Sequence, residues 1–101
     1  MAELSTLARP YARAAFYYAR DAKQLDEWGR QLALLASVYQ HDKVRSLLAN
    51  PSMTADAQAK VVIDIGGDEL DEPVGNFVAL LATNKRLPLL PEIFRLFDAL
   101  K

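Results

Sequence analysis

The chain has 101 residues, of which 51% are hydrophobic and 25% are charged, and its formal net charge is −1. This length suits one domain, and the composition excludes a disordered tail or a fibrous chain. The near-neutral charge argues against a nucleic-acid-binding protein. The lack of cysteine and the single histidine, His41, exclude disulfide scaffolds, thiol catalysis, cysteine-based zinc sites and histidine-rich metal sites.

Helix-forming residues dominate the composition. Ala and Leu each occur 16 times, whereas Val, Ile and Thr together occur 12 times. Ala and Leu favour helices, and β-branched residues favour strands. Short breaks separate six apolar-periodic segments, near residues 21–24, 40–42, 50–53, 66–71 and 84–88. Since none of these breaks is long enough to divide domains, the sequence predicts an all-α fold, a compact six-helix bundle forming a single domain over residues 1–101.

The first predicted helix runs from about Ser5 to Ala22, with Ser5 or Thr6 as its N-cap. Its apolar residues cover two faces. One face holds Ala8, Ala12, Phe16 and Ala19, and the other holds Leu7, Tyr11, Ala14, Ala15 and Tyr18. A helix that is apolar over most of its circumference is either buried centrally or covered by something else.

The next three predicted helices each carry a single apolar stripe. The second spans about Gln24 to Gln40, with a stripe of Leu25, Trp28, Leu32, Leu35 and Tyr39. The third is short and capped by Asp42, with inward-facing Val44, Leu47 and Leu48. The fourth begins at Thr54 and stops near Gly66, with a predicted core of Val61, Val62 and Ile65.

The fifth predicted helix opens with Asp71 as its cap and Pro73 in its first turn. Its core stripe is Val74, Phe77, Val78 and Leu81, and a different, weakly polar face holds Asn76, Ala79, Leu80 and Thr83. The sixth helix occupies roughly Pro88 to Leu100. Its predicted inward residues are Leu90, Ile93, Phe94, Phe97 and Leu100.

Reactive side chains form no catalytic constellation in the sequence. His41 lies at a helix boundary without a nucleophile placed beside it, and the acidic run at Asp68 and Glu69 lacks the glycine that a calcium loop needs. Gly66 and Gly67 lack the lysine of a phosphate-binding loop. We therefore predict no catalytic residue, no metal site and no cofactor.

Targeting and membrane segments are also lacking. The N-terminal stretch has neither the basic region nor the long apolar run of a signal peptide, and no run approaches 18 uncharged apolar residues. We expect a cytoplasmic chain that does not insert into a membrane directly and that associates with one only through a partner.

The first and fifth helices carry more apolar surface than a bundle helix needs. If they pack side by side, Tyr11, Ala14, Ala15 and Tyr18 form one wall of a groove, and Asn76, Ala79, Leu80 and Thr83 form the other. Such a groove would accept a partner helix. In the alternative interpretation, the first helix is central and these residues are ordinary core, which periodicity alone favours.

An ordered set of short motifs resembles one known family. It begins with Ala8-Arg9-Pro10-Tyr11-Ala12-Arg13-Ala14-Ala15-Phe16 and continues through Leu25, Trp28, Leu47-Leu48, Pro51, Gly67-Asp68-Glu69-Leu70-Asp71-Glu72, Asn76-Phe77, Asn84-Lys85-Arg86-Leu87 and Leu90-Pro91-Glu92. The set spans nearly the whole chain. It resembles the N-terminal domain of the delta subunit of bacterial F-type ATP synthase, a relative of the mitochondrial oligomycin-sensitivity-conferring protein.

The resemblance implies a non-catalytic stator subunit that links the catalytic head to the peripheral stalk, so that proton flow drives ATP synthesis. It implies that the groove between the first and fifth helices takes the N-terminal helix of an alpha subunit, with Trp28 near the partner region, whereas the stripe of the second helix favours core packing as the role of Trp28. It also implies a C-terminal region beyond Lys101 that contacts the stalk b subunit, and a place at the cytoplasmic face of the bacterial inner membrane. Because the family usually has glycine near Lys85, we expect Asn84 to take the left-handed turn.

Two other functions stay open on the sequence. One is an unrelated helical regulatory or protein-interaction domain that uses the same groove. The other is a small enzyme, which would need a deep polar cleft away from the first and fifth helices.

Overall fold

The computed structural model describes the backbone of residues 2–101 and the side chains from Leu4 onward. Over this range the chain forms six α-helices and two short 3-10 turns, and it contains no strand. The helices are α1 (Ala2–Asp21), α2 (Leu25–Gln40), α3 (Asp42–Leu48), α4 (Ala55–Gly66), α5 (Glu72–Thr83) and α6 (Leu90–Leu100). The turns are Gly67–Glu69 and Leu87–Leu89. The predicted all-α fold of six helices is confirmed, and the Cα radius of gyration of 12.6 Å is that of a compact unit.

The core lies between α6, α1 and α2, and α4 packs against α5. α1 contributes alanines to it, which are Ala8, Ala12, Ala15 and Ala19. Their small size lets α1 lie close to larger side chains such as Phe97, which is fully buried. Gly29 of α2 faces α6, where a Cβ built on it would lie 3.6 Å from Cε1 of Phe97, an ordinary van der Waals distance.

Three residues predicted to face the core are exposed instead. Ile65 is 52% exposed, because α4 turns Ile63 towards α5, where its Cδ1 would lie 3.9 Å from a Cβ built on Gly75. Leu47 is exposed because the short α3 lies at the rim of the bundle. Leu100 lies in the last turn of α6 and is exposed as well.

Helix starts follow local capping chemistry in two of the four predicted cases. The Thr54 hydroxyl accepts a hydrogen bond from Ala57 N–H at 3.1 Å, and the Asp71 carboxylate accepts one from Val74 N–H at 3.1 Å. Both predicted caps are confirmed. The Asp42 cap is wrong, because His41 is the N-cap of α3 and the Asp42 carboxylate pairs with Arg45 inside the helix.

The predicted N-cap of α1 at Ser5 or Thr6 is also wrong, since α1 begins at Ala2. Ser5 lies inside the helix, and its hydroxyl donates to the Glu92 carboxylate of α6. The Ser5 hydroxyl therefore bonds α6 and not the backbone N–H groups that an N-cap side chain satisfies.

The left-handed residue after α5 is Lys85, with φ of 59°, and not Asn84, whose φ is −88°. Lys85 N–H donates to the Ala82 carbonyl and Arg86 N–H donates to the Leu81 carbonyl, which is the paired arrangement of a Schellman motif. This motif places the positive φ one residue beyond Asn84. The expectation for Asn84 is therefore corrected.

Within residues 2–101, none of the six helices is long and apolar enough to span a membrane.

Candidate protein-binding groove

An open groove of about 410 Å³ runs between α1 and α5. Its lining comes from three helices and consists of Tyr11, Ala14, Ala15, Tyr18, Trp28, Glu72, Pro73, Asn76, Phe77 and Leu80. Glu72 is the only charged member of this set within the described part of the chain. The lining offers aromatic and aliphatic surface for binding.

The walls exist because α1 and α5 each bury one face and leave a neighbouring face open. In α5, Leu81 is fully buried, whereas Leu80, rotated by about 100° around the helix axis, is 49% exposed. In α1, the alanine face points into the core, and the adjacent face carries Tyr18, which is 51% exposed. The apolar surface that the sequence assigned to these helices is thus only partly covered by the bundle.

The floor of the groove is aromatic. Trp28 of α2 is only 3% exposed and lies between the two walls. Its ring centroid is 5.4 Å from that of Tyr18 and 5.6 Å from that of Phe77, and the Phe77 contact is edge-to-face. The indole Nε1 of Trp28 is buried and has no acceptor among the described residues.

Hydrogen bonds hold the walls at both ends. At one end the Asn84 amide donates to the Tyr11 hydroxyl at 3.1 Å, which joins the end of α5 to the first half of α1. At the other end the buried Gln31 of α2 donates to the Asp71 carboxylate at 3.0 Å and accepts from Asp71 N–H at 2.9 Å. The start of α5, and with it Glu72, is therefore held against α2.

The predicted partner-binding residues fall into two groups. Six of them line the groove, namely Tyr11, Ala14, Ala15, Tyr18, Asn76 and Leu80. Ala15 is buried and closes the wall from beneath, while Ala79 and Thr83 are exposed on a part of α5 outside the lining. On a helix of 3.6 residues per turn, Ala79 lies about 100° from Leu80, on the side away from Phe77.

Three lining residues were missed at the level of sequence, namely Glu72, Pro73 and Phe77, and Trp28 was placed near the partner region only by the family resemblance. Pro73, Phe77 and Leu80 share one row of α5 at spacings of four and three, so their register could have indicated a common face. Trp28 comes from a third helix. Its place in the floor depends on how the helices pack, which periodicity does not contain.

A second cavity of about 440 Å³ lies among α3, the start of α4 and the end of α5. Its polar groups are partly engaged within the chain. Arg45 pairs with Asp42, and the Gln58 amide donates to the Leu48 carbonyl at 2.9 Å. The groove between α1 and α5 is the stronger candidate for a protein partner because its large apolar side chains are left uncovered.

Comparison with known proteins agrees with the sequence resemblance. The family model described as "ATP synthase delta (OSCP) subunit" matches residues 7–101. The ATP synthase subunit delta of Teredinibacter turnerae and that of Cellvibrio japonicus are each 48% identical over 101 residues, which is 100% of this chain and 57% of the relative. The corresponding protein of Alcanivorax borkumensis is 46% identical over 100 residues, or 99% of this chain and 56% of the relative. The chain thus spans little more than half the length of the curated relatives it matches.

Proposed function

The chain belongs to the ATP synthase delta (OSCP) subunit family, and we propose that it is a non-catalytic adaptor whose groove between α1 and α5 takes the N-terminal helix of an ATP synthase alpha subunit. The observation that supports this proposal is the uncovered groove itself. Leu80 and Tyr18 stand half-exposed above an aromatic floor, in the arrangement that helix-in-groove recognition uses.

The shape of the groove suits a helix better than a small molecule. It is open along its length, and Ala14 and Asn76 on its facing walls are small enough to admit a second backbone closely. Exposed leucines continue the α1 wall beyond the lining residues, at Leu7 and Leu4. An elongated amphipathic segment would cover this whole stripe.

The energetics fit an adaptor that holds one helix at moderate strength. Burial of about five apolar side chains of a partner contributes roughly 8–15 kcal/mol to the free energy of binding before the cost of association is subtracted. Association removes translational, rotational and side-chain freedom at a cost of about 4–15 kcal/mol. The groove alone would give moderate affinity, and a permanent assembly would need further contacts.

In the proposed role the chain is a stator link at the top of the catalytic head. It would help to resist rotor torque so that proton flow drives ATP synthesis, and it would lie peripherally at the cytoplasmic face of the bacterial inner membrane through the complex. Contact with the b subunit of the peripheral stalk is assigned in this proposal to the region of the relatives that the chain does not match.

The test is titration of the chain with a synthetic peptide of the N-terminal residues of the alpha subunit from Teredinibacter turnerae, the source of a 48% identical relative. We expect saturable amide shifts in α1 and α5 together with a change in Trp28 fluorescence. Leu80→Asp should weaken binding by about 30-fold or more, because it places a carboxylate in an apolar contact at a cost of about 2 kcal/mol or more.

Two controls separate the groove from general destabilisation. Ile65→Asp introduces the same charge at an equally exposed apolar position of α4 and should leave the peptide affinity unchanged. Leu80→Asp should lower the free energy of unfolding by about 1 kcal/mol or less, since half of this side chain is already in water. A Leu80→Asp variant that folds and still binds the peptide normally would refute the proposal.

A further inference from the structure

We propose that the second cavity, among α3, the start of α4 and the end of α5, binds a small amphipathic carboxylate, a molecule with one carboxylate on a short aliphatic chain. None of the residues that line this cavity also lines the groove between α1 and α5. The inference therefore goes beyond the proposed function and does not depend on it.

The cavity has the size of a site for a small molecule. Its volume of about 440 Å³ lies near the lower end of the range of about 300–1,000 Å³ that is typical of ligand pockets. At about 30 Å³ for each water-sized group, it has room for about 15 non-hydrogen atoms. It is also more enclosed than the groove between α1 and α5, which suits a compact ligand better than a helix.

Much of the cavity wall is apolar. Ala82 at the end of α5 and Leu87 in the following turn contribute surface from buried side chains. Leu48 of α3 and Met53, just before α4, also line the cavity and are half-buried. An aliphatic chain in the cavity would cover the parts of these side chains that water now reaches, and this burial favours binding.

The charged side chains of the lining are both cationic. They are Arg45 of α3 and Lys85 after α5, and no Asp or Glu lines the cavity in the part of the chain that the structure describes. Lys85 forms no ion pair within residues 4–101. Arg45 pairs with Asp42 through Nη2, and the other N–H groups of its guanidinium remain as donors for a ligand. The cavity therefore favours an anion.

The balance of charge selects a carboxylate among anions. Because Asp42 neutralises Arg45, the charge of Lys85 is left uncompensated, and it matches a singly charged carboxylate better than a doubly charged phosphate. Neutral donors complete the set. The Asn50 side-chain oxygen accepts from Ser52 N–H at 2.9 Å, which leaves its NH₂ group as a donor in the lining.

The backbone of Lys85 gives independent support. Its φ of 59° lies in the left-handed region, where a residue with a side chain costs conformational energy that glycine avoids. The hydrogen bonds of this turn come from backbone N–H groups, so the turn itself does not require a lysine. Residues held in such conformations cluster at binding sites. A function for the ammonium group in the cavity explains why lysine stands at this position.

NMR titration with three probes tests the chemistry of the ligand. Octanoate carries both the carboxylate and the aliphatic chain, octanol lacks the charge, and acetate lacks the chain. We expect octanoate to cause saturable amide shifts at Leu48, Met53 and Ala82, and to bind at least about tenfold more tightly than either control. Equal affinity for octanoate and octanol, or octanoate shifts confined to the groove between α1 and α5, would overturn the inference.

Lys85→Gly tests the cation without loss of the fold. Glycine suits the left-handed turn, so a loss of binding in this variant does not come from unfolding. We expect octanoate to bind at least about fivefold more weakly, because the ammonium group that faces the carboxylate is gone. Lys85→Gln, which keeps a long side chain but no charge, should weaken octanoate binding to a similar extent.

Lys23→Gly is the matched control. Lys23 has the same left-handed backbone, with φ of 60°, but it lies outside the cavity lining. Its replacement removes the same charge from the chain and should leave the affinity for octanoate unchanged. Unchanged octanoate binding in both Lys85 variants, or equal losses in Lys85→Gly and Lys23→Gly, would refute the role of Lys85 and with it the proposed site.

Discussion

Glu92 joins two helices through a small polar cluster. Its carboxylate accepts hydrogen bonds from Arg95 at 2.8 and 2.6 Å within α6, and from the Ser5 hydroxyl of α1 at 2.5 Å. The Arg95 guanidinium, followed by the Ser5 hydroxyl, lowers the pKa of Glu92 to about 2. The charged form is therefore stabilised in the folded chain relative to the unfolded chain.

This shift predicts a stability change in acid. A carboxylate with a lowered folded-state pKa contributes stability above the unfolded pKa and loses it as the pH falls from about 5 towards 2. The wild type should therefore lose more unfolding free energy between pH 7 and pH 3 than Glu92→Gln does. We expect a difference of about 1 kcal/mol, because the Arg95 side chain is mostly exposed and the surrounding water screens the pair.

Urea denaturation at the two pH values measures the difference. Asp56→Asn serves as the control, because this exposed carboxylate takes part in none of the ion pairs formed within residues 4–101. Equal acid sensitivity of Glu92→Gln and the wild type would contradict the prediction.

At the scale of the element, α1 and α5 end in the same way. Each is followed by a lysine in the left-handed region, Lys23 with φ of 60° and Lys85 with φ of 59°. In both turns the next residue donates to a carbonyl five positions back, Gln24 to Ala19 and Arg86 to Leu81. An L-residue in this region costs roughly 1–2 kcal/mol, a penalty that glycine avoids.

Lys85→Gly should therefore stabilise the chain by about 0.5–1 kcal/mol, after allowance for the greater freedom of glycine in the unfolded state. Lys60→Gly, in the middle of α4, is the matched control and should destabilise it by about 1 kcal/mol. Thermal and urea unfolding give both values. A loss of stability in Lys85→Gly as large as that in Lys60→Gly would refute this explanation of the turn.

Periodicity and capping residues predicted most of the elements. The stripe of Val74, Phe77, Val78 and Leu81 is buried in α5, and the caps at Thr54 and Asp71 form as expected. The errors occur where a residue's partner lies on another helix. The Ser5 hydroxyl bonds Glu92 of α6 instead of capping α1. α4 packs against α5 through Ile63, which leaves Ile65 exposed. Spacing along one helix does not contain this information.

The groove was predictable to a similar extent. The uncovered faces of α1 and α5 follow from their apolar surplus, and Leu80 is exposed as the groove interpretation requires. Glu72, the first residue of α5, escaped the prediction. Trp28 reaches the lining from α2, and only the family resemblance placed it near the partner region. Whether the lining binds the alpha helix remains a prediction for the titration.

At the scale of the whole molecule, burial is uneven. α2 and α6 supply many of the fully buried side chains, such as Leu32, Leu35, Ile93 and Phe97. The residues of α3, by contrast, are all exposed or half-buried, and this helix packs mainly against α2. Local opening requires little loss of packing in such an element.

The rate of amide hydrogen exchange should therefore differ between the helices. We expect the amides of α3 to exchange at least about tenfold faster than those in the middle of α6, because a local opening frees α3 whereas α6 requires global unfolding. Exchange measured by NMR at neutral pH resolves the two helices. Equal protection of α3 and α6 would contradict this prediction, because it would show that α3 opens only when the core unfolds.

The bonds of Gln31 to Asp71 and of Asn84 to Tyr11 fix the groove before any partner arrives. Little rearrangement is then needed for docking, which favours fast capture. The same rigidity affects how the free protein behaves at high concentration. The free chain does not cover its apolar groove. We therefore expect the protein to self-associate through this face at high concentration and to dissociate when a helical peptide that fills the groove is added.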